Sequence, residues 1–280
     1  MSFFATHDGT RLSYTEVGEG PRLVCVPGGP GRAVSYLEDL AGLSSYRTLV
    51  LLDPRATGHS EVPADPSSLR FDRLAADLEA LRGHLDLERL DVLAHSAGTI
   101  VTQAWAALHP GSVGSLCLLT PSDRLQGGER TDVPAIRASF AGEDWYADAA
   151  EAQEAIATAP PSQQASLERA TRAFAYGRWD LRTQEHAASA DRQSSKRALL
   201  GFGVGIEDLD VGALVAGLKE VTAPVLVVGA DRDALTGKDS VTLVASCFPD
   251  AVIAWVAGAG HYPWVDEPAG FRAAVDPFLS

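Results

Sequence analysis

The chain alternates short apolar runs with longer segments whose apolar residues recur at helical spacing. Within Arg70–His84, Phe71, Leu74 and Leu78 lie three and four positions apart, which predicts an amphipathic helix. Further helices are predicted over 97–108, 237–248 and 267–279. The apolar runs predict eight strands, at residues 3–5, 11–17, 22–26, 47–52, 90–94, 113–119, 224–228 and 252–256. Strands that alternate with helices predict a mainly parallel sheet with helices on both faces.

The alternation of predicted strands and helices is interrupted between residues 121 and 219, where no strong strand pattern occurs. Alanine-rich segments with Glu, Gln and Arg predict helices there, over 133–141, 144–157, 162–176 and 183–200. We therefore expect residues 1–120 and 220–280 to form one α/β core. Residues 121–219 are expected to form a helical lid, inserted over the carboxyl edge of the sheet.

Composition indicates a globular protein, because 46% of the 280 residues are hydrophobic and 21% are charged. The 23 basic and 37 acidic residues give a net charge of −14, which disfavours nucleic acid and anionic membranes as partners. No apolar run approaches the roughly 18 residues needed to span a bilayer, and the N-terminus has no signal-peptide pattern. The expected location is cytoplasmic, and the pattern gives no oligomeric state.

The three cysteines, Cys25, Cys117 and Cys247, cannot all pair, and each lies in an apolar or helical segment. Buried, reduced thiols are the natural interpretation. Their spacing with histidines does not match a zinc site. We predict no metal and no cofactor.

A candidate nucleophile lies where the strand ending at Ala94 meets the helix that starts near Ala97. The segment Ala94–Gly98 reads Ala-His-Ser-Ala-Gly, and a strand–turn–helix context makes Ser96 a nucleophile-elbow candidate. Small residues two positions before and after Ser96 allow the strand and the helix to approach each other. His95 is interpreted as a pocket or packing residue.

A glycine-rich loop, Pro27–Gly31, follows the third predicted strand and reads Pro-Gly-Gly-Pro-Gly. Paired glycines expose backbone N–H groups without obstruction by side chains. We expect the N–H groups of Gly29 and Ala97 to form an oxyanion hole, with Gly28 beside the substrate. No Gly-Lys-Ser/Thr follows, so the loop is not a phosphate loop.

A candidate base, His261, lies between glycine and tyrosine in a loop after the last predicted strand. Histidine takes and returns a proton near neutral pH. Five further histidines are interpreted as surface or capping residues: His7, His59, His84, His109 and His186. We expect Asp233 to orient His261, since it lies further past its strand than Asp231, which more plausibly braces the loop. Asp123 is a third alternative.

With these segments in order, the chain resembles the α/β-hydrolase superfamily and, within it, the proline iminopeptidase branch. That branch has His-Gly-Gly-Pro-Gly where this chain has Pro27–Gly31, and Asp-Gln-Arg-Gly-x-Gly-x-Ser where it has 53–60. The nucleophile elbow of that branch usually reads Gly-Gly-Ser-Trp-Gly, and the corresponding segment of this chain, Ala94–Gly98, reads Ala-His-Ser-Ala-Gly. The resemblance implies an α/β-hydrolase fold with an eight-stranded sheet, a helical lid, and the catalytic residues Ser96, Asp233 and His261. Within the segment 53–60, Asp53 and Arg55 are interpreted as loop-locking residues.

Family iminopeptidases are thought to bind the free amine of the substrate with lid carboxylates. Candidates here are Glu143, Asp144, Asp148, Glu185, Glu207 and Asp208. Of these, Glu185 is a candidate substrate contact, together with His95, Tyr262 and Trp264 beside the catalytic residues.

The resulting hypothesis is a serine hydrolase that cleaves an ester or amide of a small molecule or short peptide through an acyl-enzyme on Ser96. An iminopeptidase and a small-molecule esterase are alternatives within this class. A non-hydrolytic enzyme on the same fold, such as a lyase, an acyl transferase or a cofactor-free oxygenase, is the alternative outside it. A non-catalytic binding module is disfavoured because all three catalytic residues are present.

Overall fold

The computed structural model describes all residues from Met1 to Ser280. Eight strands form one sheet with the order β1-β2-β4-β3-β5-β6-β7-β8. Strands β1 and β2 pair antiparallel with their neighbours and the other six strands are parallel, so the predicted mainly parallel, eight-stranded sheet is confirmed. The strands are β1 Ser2–Ala5, β2 Arg11–Val17, β3 Arg22–Val26, β4 Thr48–Leu52, β5 Leu90–His95, β6 Val113–Leu119, β7 Val225–Ala230 and β8 Ala251–Val256.

Helices cover both faces of the sheet because the central strands are buried on both sides. In β5, Val92 belongs to one apolar core and its neighbour Leu93 to the other. Five helices flank the core strands: α1 Phe71–His84, α2 Gly98–Leu108, α9 Gly237–Ser246, α10 Pro263–Asp266 and α11 Pro268–Leu279. Helices α1, α2 and α9 pack into the first core, whereas α11 and the segment after β3 pack into the second.

Six further helices lie between β6 and β7, and we call residues 120–224 the inserted segment. They are α3 Val133–Ala138, α4 Tyr146–Ala155, α5 Pro161–Ala170, α6 Leu181–Gln193, α7 Lys196–Gly201 and α8 Val211–Gly217. Neither α5 nor α8 has a fully buried residue. A small third core of Ile136, Phe140, Ala149, Phe174 and Ala234 joins α3 and α4 to the loop after β7.

The single helix expected over 183–200 is wrong, because the structure divides it into α6 and α7. Ser195 breaks it: its side chain accepts a hydrogen bond from the Ala198 N–H and caps α7. Ser194, just before it, forms a β-bridge to Arg32. Helix α8 is not predicted from the sequence; the side chain of Asp210 caps its start by accepting the Ala213 N–H.

No helix in the structure combines the length and the apolar character needed to cross a membrane. The three cysteines are buried and unpaired.

Candidate active site

Ser96 occupies a sharp turn between the end of β5 and the start of α2. Its φ angle of 52° lies in the left-handed region, which costs a residue other than glycine about 1–3 kcal/mol. The Ser96 N–H donates to the Leu119 carbonyl of β6 at 3.0 Å, which helps to hold this conformation. A Cβ on Gly98 would lie 2.5 Å from the Pro27 carbonyl oxygen, so glycine is required where α2 meets the Pro27–Gly31 loop.

His261 and Asp233 meet at the carboxyl edge of the sheet, where Nδ1 of His261 lies 2.9 Å from Oδ2 of Asp233. Because a carboxylate accepts, Nδ1 carries the proton and Nε2 is left as the basic nitrogen. Burial by itself raises the pKa of Asp233, but His261 and the hydrogen bonds from Thr236 and Leu235 outweigh it and hold the pKa below its ordinary value. Asp233 is therefore the charged partner of His261.

The backbone of His261 is fixed from three sides. Its N–H donates to the Ala175 carbonyl at 2.8 Å. Its carbonyl accepts from Thr120 Oγ1 at 3.0 Å and from His95 Nε2 at 2.9 Å. The loop that carries His261 thus depends on a strand end, on the elbow and on the inserted segment.

The two alternative carboxylates have other partners. Asp231 accepts the Gly258 N–H at 2.7 Å and braces the loop before His261. Asp123 pairs with Arg130, at 2.6 Å between oxygen and nitrogen. Neither makes a hydrogen bond to His261, so the geometry leaves Asp233 as the residue that orients the imidazole.

A cavity of about 250 Å³ opens beside these groups, and its wall includes Ser96, His261, Gly29 and Ala97. The N–H groups of Gly29 and Ala97 donate to no acceptor within the protein. No hydrogen bond joins Ser96 to His261 in the structure. Such bonds are often long without substrate and tighten when substrate binds. One cavity therefore holds a hydroxyl, an imidazole and two available backbone donors.

A chain of hydrogen bonds beneath the cavity was not foreseen from the sequence. The Gly28 N–H donates to the Tyr36 hydroxyl at 2.6 Å, and that hydroxyl lies 2.7 Å from Nδ1 of His95. Since the His261 carbonyl only accepts, His95 Nε2 carries the proton and Tyr36 donates to Nδ1. Burial, followed by the nearby His261, lowers the pKa of His95 well below its ordinary value, which keeps it neutral. The chain connects the glycine loop to the loop of His261.

The structure corrects several predicted substrate contacts. His95 is 1% exposed and uses both ring nitrogens within the protein, so it supports the site from beneath. Trp264 is buried in the second core, and Gly28 packs under Ser96 with its N–H already used. Glu185 is exposed on α6 and lines neither the Ser96 cavity nor the one next to it. Tyr262 alone among the side chains of this set lines a cavity, next to the one with Ser96.

His186 was expected at the surface but is buried. Its Nδ1 lies 2.7 Å from the Tyr176 hydroxyl and its Nε2 lies 2.9 Å from the Tyr36 carbonyl oxygen. It packs against Tyr262 and Tyr36 and so attaches α6 to the core. Polar side chains on an alanine-rich helix do not show from sequence alone which face is covered.

The expected loop-locking role of Asp53 and Arg55 agrees with their contacts. Asp53 accepts the N–H groups of Val34 and His59, each at about 3 Å. Arg55 makes two hydrogen bonds to the buried carboxylate of Asp77. No group of three or more His, Cys, Asp or Glu side chains is arranged to hold a metal ion.

Comparison with known proteins gives the family. A model described as alpha/beta hydrolase fold matches residues 21–268, so the chain belongs to the α/β-hydrolase fold family. A curated relative, the proline iminopeptidase of Heyndrickxia coagulans, is 32% identical over 116 residues, which is 40% of this chain and 40% of that relative. The chain spans only 36–40% of the length of the first curated relatives it matches.

The solved structures that resemble the whole chain include an esterase and a proline iminopeptidase. The esterase from Exiguobacterium antarcticum matches with a TM-score of 0.74 at 16% identity, and the match covers 99% of this chain and 98% of the esterase chain. The proline iminopeptidase from Mycobacterium smegmatis has a TM-score of 0.73 at 23% identity and covers 99% and 97%. At these identities the likeness shows the fold. The predicted fold and the resemblance to hydrolases, including proline iminopeptidases, are confirmed.

Proposed function

We propose that the protein is a serine hydrolase that cleaves an ester or amide bond of a small molecule or short peptide through an acyl-enzyme on Ser96. The observation that carries this proposal is the single cavity shared by Ser96, His261 and the free N–H groups of Gly29 and Ala97. The hydrogen bond from His261 to the buried Asp233 supports it. The family adds support, because its members here are named as hydrolases.

In the first half of the reaction, Ser96 Oγ attacks the substrate carbonyl and His261 Nε2 takes the hydroxyl proton. The charge that develops on the carbonyl oxygen accepts hydrogen bonds from the N–H groups of Gly29 and Ala97. Loss of one such donor typically costs about 3–4 kcal/mol in the transition state. Asp233 stabilises the imidazolium cation. The tetrahedral intermediate collapses, and His261 returns the proton to the leaving alcohol or amine.

In the second half, water attacks the acyl group on Ser96. His261 takes a proton from that water, and the N–H groups of Gly29 and Ala97 again stabilise the oxyanion. The bond between the acyl carbon and Ser96 Oγ then breaks as His261 donates the proton to Oγ. The acid product leaves and the free enzyme is restored. No metal or cofactor takes part in these steps.

We further propose that the inserted segment acts as a lid that shapes the substrate pocket over this edge. Its Phe202 lies in the wall of the Ser96 cavity, together with Leu235 from the loop after β7. The catalytic residues on the α/β core would then carry out the reaction, and the inserted segment would determine substrate specificity. Cleavage of an N-terminal proline, as named for the relatives, is one activity within this class.

The test uses a fluorophosphonate probe and 4-nitrophenyl butyrate. Covalent labelling at Ser96 and ester hydrolysis are expected, with kcat reduced on the order of 10⁶-fold by Ser96→Ala. Ser139→Ala, at an exposed serine outside the cavity, is the matched control and should label and hydrolyse normally. Labelling that survives in Ser96→Ala would contradict the proposal. A parallel panel of aminoacyl-coumarin amides, with the amine free or blocked, tests for aminopeptidase activity.

A further inference from the structure

A second cavity, of about 350 Å³, adjoins the one that holds Ser96. Both cavities include Gly29 and Leu235 in their walls, so they meet at the glycine loop. The wall of the second cavity also includes Tyr262, which follows His261 in the chain, and Phe174 from the inserted segment. A substrate whose carbonyl lies at Gly29 therefore has room to extend into either cavity.

The two cavities are basic although the chain carries a net charge of −14. Arg124 and Arg130 line the Ser96 cavity, and no carboxylate does. Arg32, Arg137 and Arg172 line the second cavity, against one exposed carboxylate, Glu168. Five arginines thus line the two cavities, in a protein whose net charge is negative. Such a local excess of one charge attracts the opposite charge.

Three of these arginines already have partners in the protein. Arg130 pairs with Asp123, and Arg172 pairs with Asp191. Every nitrogen of Arg32 has a protein acceptor, among them the His186 carbonyl and Gln193, so Arg32 serves to attach α6. The carboxylates of Asp123 and Asp191 offset the charges of Arg130 and Arg172, and all three guanidinium groups have few donors left for a ligand.

Two arginines keep free donors. Arg137, on α3, donates from Nε to the Ala234 carbonyl, whereas its two terminal nitrogens have no partner in the protein. It has no carboxylate partner, it is half-buried, and burial lowers its pKa, yet an arginine remains charged at neutral pH. Arg124 makes no hydrogen bond or ion pair and is exposed at the Ser96 cavity. A planar guanidinium fork with free terminal nitrogens matches a carboxylate.

The carboxylates considered for binding an amine lie elsewhere. Each of them is exposed and none lines either cavity: Glu143, Asp144, Asp148, Glu185, Glu207 and Asp208. A cationic amine in these cavities would face five arginines and a single carboxylate, the exposed Glu168. Like charges that share a cavity repel each other, particularly where water is partly excluded.

From these contacts we infer that the substrate of the proposed Ser96 hydrolase carries a carboxylate, and that Arg137 determines this specificity, with Arg124 contributing from the Ser96 side. The inference rests on the proposed function, because the carbonyl must be placed at Gly29 and Ala97 for the anion to reach these cavities. Arg137, being half-buried, holds the anion in a less hydrated environment than Arg124 does and is the stronger of the two.

The test compares kcat/KM for chromogenic esters of similar size. Mono-4-nitrophenyl glutarate carries a carboxylate on the acyl side, and 3-carboxy-4-nitrophenyl butyrate carries one on the leaving group. 4-Nitrophenyl pentanoate is the neutral reference, and 4-nitrophenyl 4-(trimethylammonio)butanoate is the cationic one. One carboxylate probe at least is expected to exceed the neutral ester by roughly tenfold or more, the cationic ester should be slowest, and the preference should shrink in 1 M salt.

Variants assign the preference to residues. Arg137→Gln is expected to lower the ratio of carboxylate to neutral kcat/KM by roughly tenfold, Arg137→Lys to restore part of it, and Arg124→Gln to lower it less. Arg197→Gln is the matched control, since Arg197 is exposed on α7, has no partner and lies outside both cavities. Because both esters are assayed on one preparation, the ratio does not depend on the fraction of folded protein.

The two proposals fail differently. If neutral ester is hydrolysed and the fluorophosphonate labels Ser96, but neither carboxylate probe is preferred, the inference is wrong and the serine hydrolase stands. A preference that survives both Arg137→Gln and Arg124→Gln also overturns it. If no ester is hydrolysed and Ser96 is not labelled, the proposed function itself fails.

Discussion

The carboxyl edge of the sheet and the inserted segment are built in different ways. Strand β7 is buried along its whole length, and the backbone of His261 is held by three hydrogen bonds. In the inserted segment, by contrast, α5 and α8 have no fully buried residue, and the third core contains only five. The difference indicates that the reacting groups are fixed by the main cores, whereas four of the five cavity arginines, all except Arg32, belong to the inserted segment, whose outer helices are less buried.

The two regions meet at a few buried polar contacts. Asp266 accepts the N–H groups of Gly177, in the inserted segment, and of Gly260, next to His261. His186 of α6 lies within hydrogen-bond distance of the Tyr36 carbonyl, and the Tyr36 hydroxyl supports the glycine loop. Substitutions at the carboxyl edge should therefore lower kcat strongly, and substitutions in the outer helices of the inserted segment should change activity and stability little. Substitutions at the buried polar contacts between the two regions, which we call joints, should have intermediate effects.

After loss of Ser96 itself, the largest effect is expected at the edge, from Asp233→Asn. An asparagine amide in place of the carboxylate favours the wrong tautomer of His261, so kcat for ester hydrolysis should fall on the order of 10⁴-fold, measured with 4-nitrophenyl butyrate. Asp231→Asn is the control, since its oxygen still accepts the Gly258 N–H and kcat should change little. The reverse result would assign the orienting role to Asp231.

A pair of leucine truncations measures the difference in packing directly. Leu118→Ala, in β6 and 0% exposed, should lower the free energy of unfolding by about 2–5 kcal/mol, because it leaves a cavity in the core. Leu181→Ala, at the start of α6 and 72% exposed, should change it by less than about 0.5 kcal/mol. Urea unfolding curves give both values. Equal losses would contradict the comparison.

At the joint formed by Asp266, the prediction concerns pH. Burial raises the pKa of Asp266 to about 7, even though the Gly177 and Gly260 N–H groups favour its charged form. Between its unfolded pKa of about 4 and its folded pKa, the native state binds more protons than the unfolded chain. Stability should therefore fall as pH rises from about 4 to 7, by up to about 4 kcal/mol from this group.

Asp266→Asn tests the sign of this effect. The amide oxygen of asparagine can accept both N–H groups, and its nitrogen replaces an oxygen that has no partner. The variant should lose less stability than the wild type between pH 5 and pH 8, as measured by urea unfolding. An identical pH dependence in both proteins would show that Asp266 titrates normally.

An intermediate effect is expected at the joint formed by Tyr36, from Tyr36→Phe, which leaves the buried Gly28 N–H without an acceptor. We expect the free energy of unfolding to fall by about 1–3 kcal/mol and kcat to fall several-fold, because the glycine loop loses its support. Tyr46→Phe removes a hydrogen bond to Asp276 at the surface and is the matched control, with a smaller loss. A loss no larger than that of the control would contradict the role of Tyr36.

Much of the fold was predictable because the information is local. Strands β2, β3 and β6 begin and end at the predicted residues, since apolar runs bounded by turn residues specify them. The elbow at Ser96 was predictable for the same reason, as its strand, its turn and its helix are adjacent in the chain. The break between α6 and α7 was missed because it depends on the cap by Ser195 and on Arg32, far away in sequence.

Around the candidate site, prediction failed where partners are distant in the chain. Tyr36 accepts the Gly28 N–H and connects the glycine loop to His95, 59 residues further along the chain, and the sequence around Tyr36 has no motif. The acidic residues that the family resemblance suggested for amine binding are exposed, while Arg137 and Arg124, which carried no signal, line the cavities. The catalytic roles of Ser96, His261 and Asp233 remain predictions until tested.

The sequence by itself determined the order of strands and helices, the elbow at Ser96 and the short set of candidate partners for His261, because hydrophobic spacing and turn residues act over a few positions. Tertiary structure alone decided that Asp233 reaches the imidazole while Asp231 and Asp123 turn to other partners. It also decided which charges face the substrate, because helix exposure and cavity walls depend on how distant segments pack against one another.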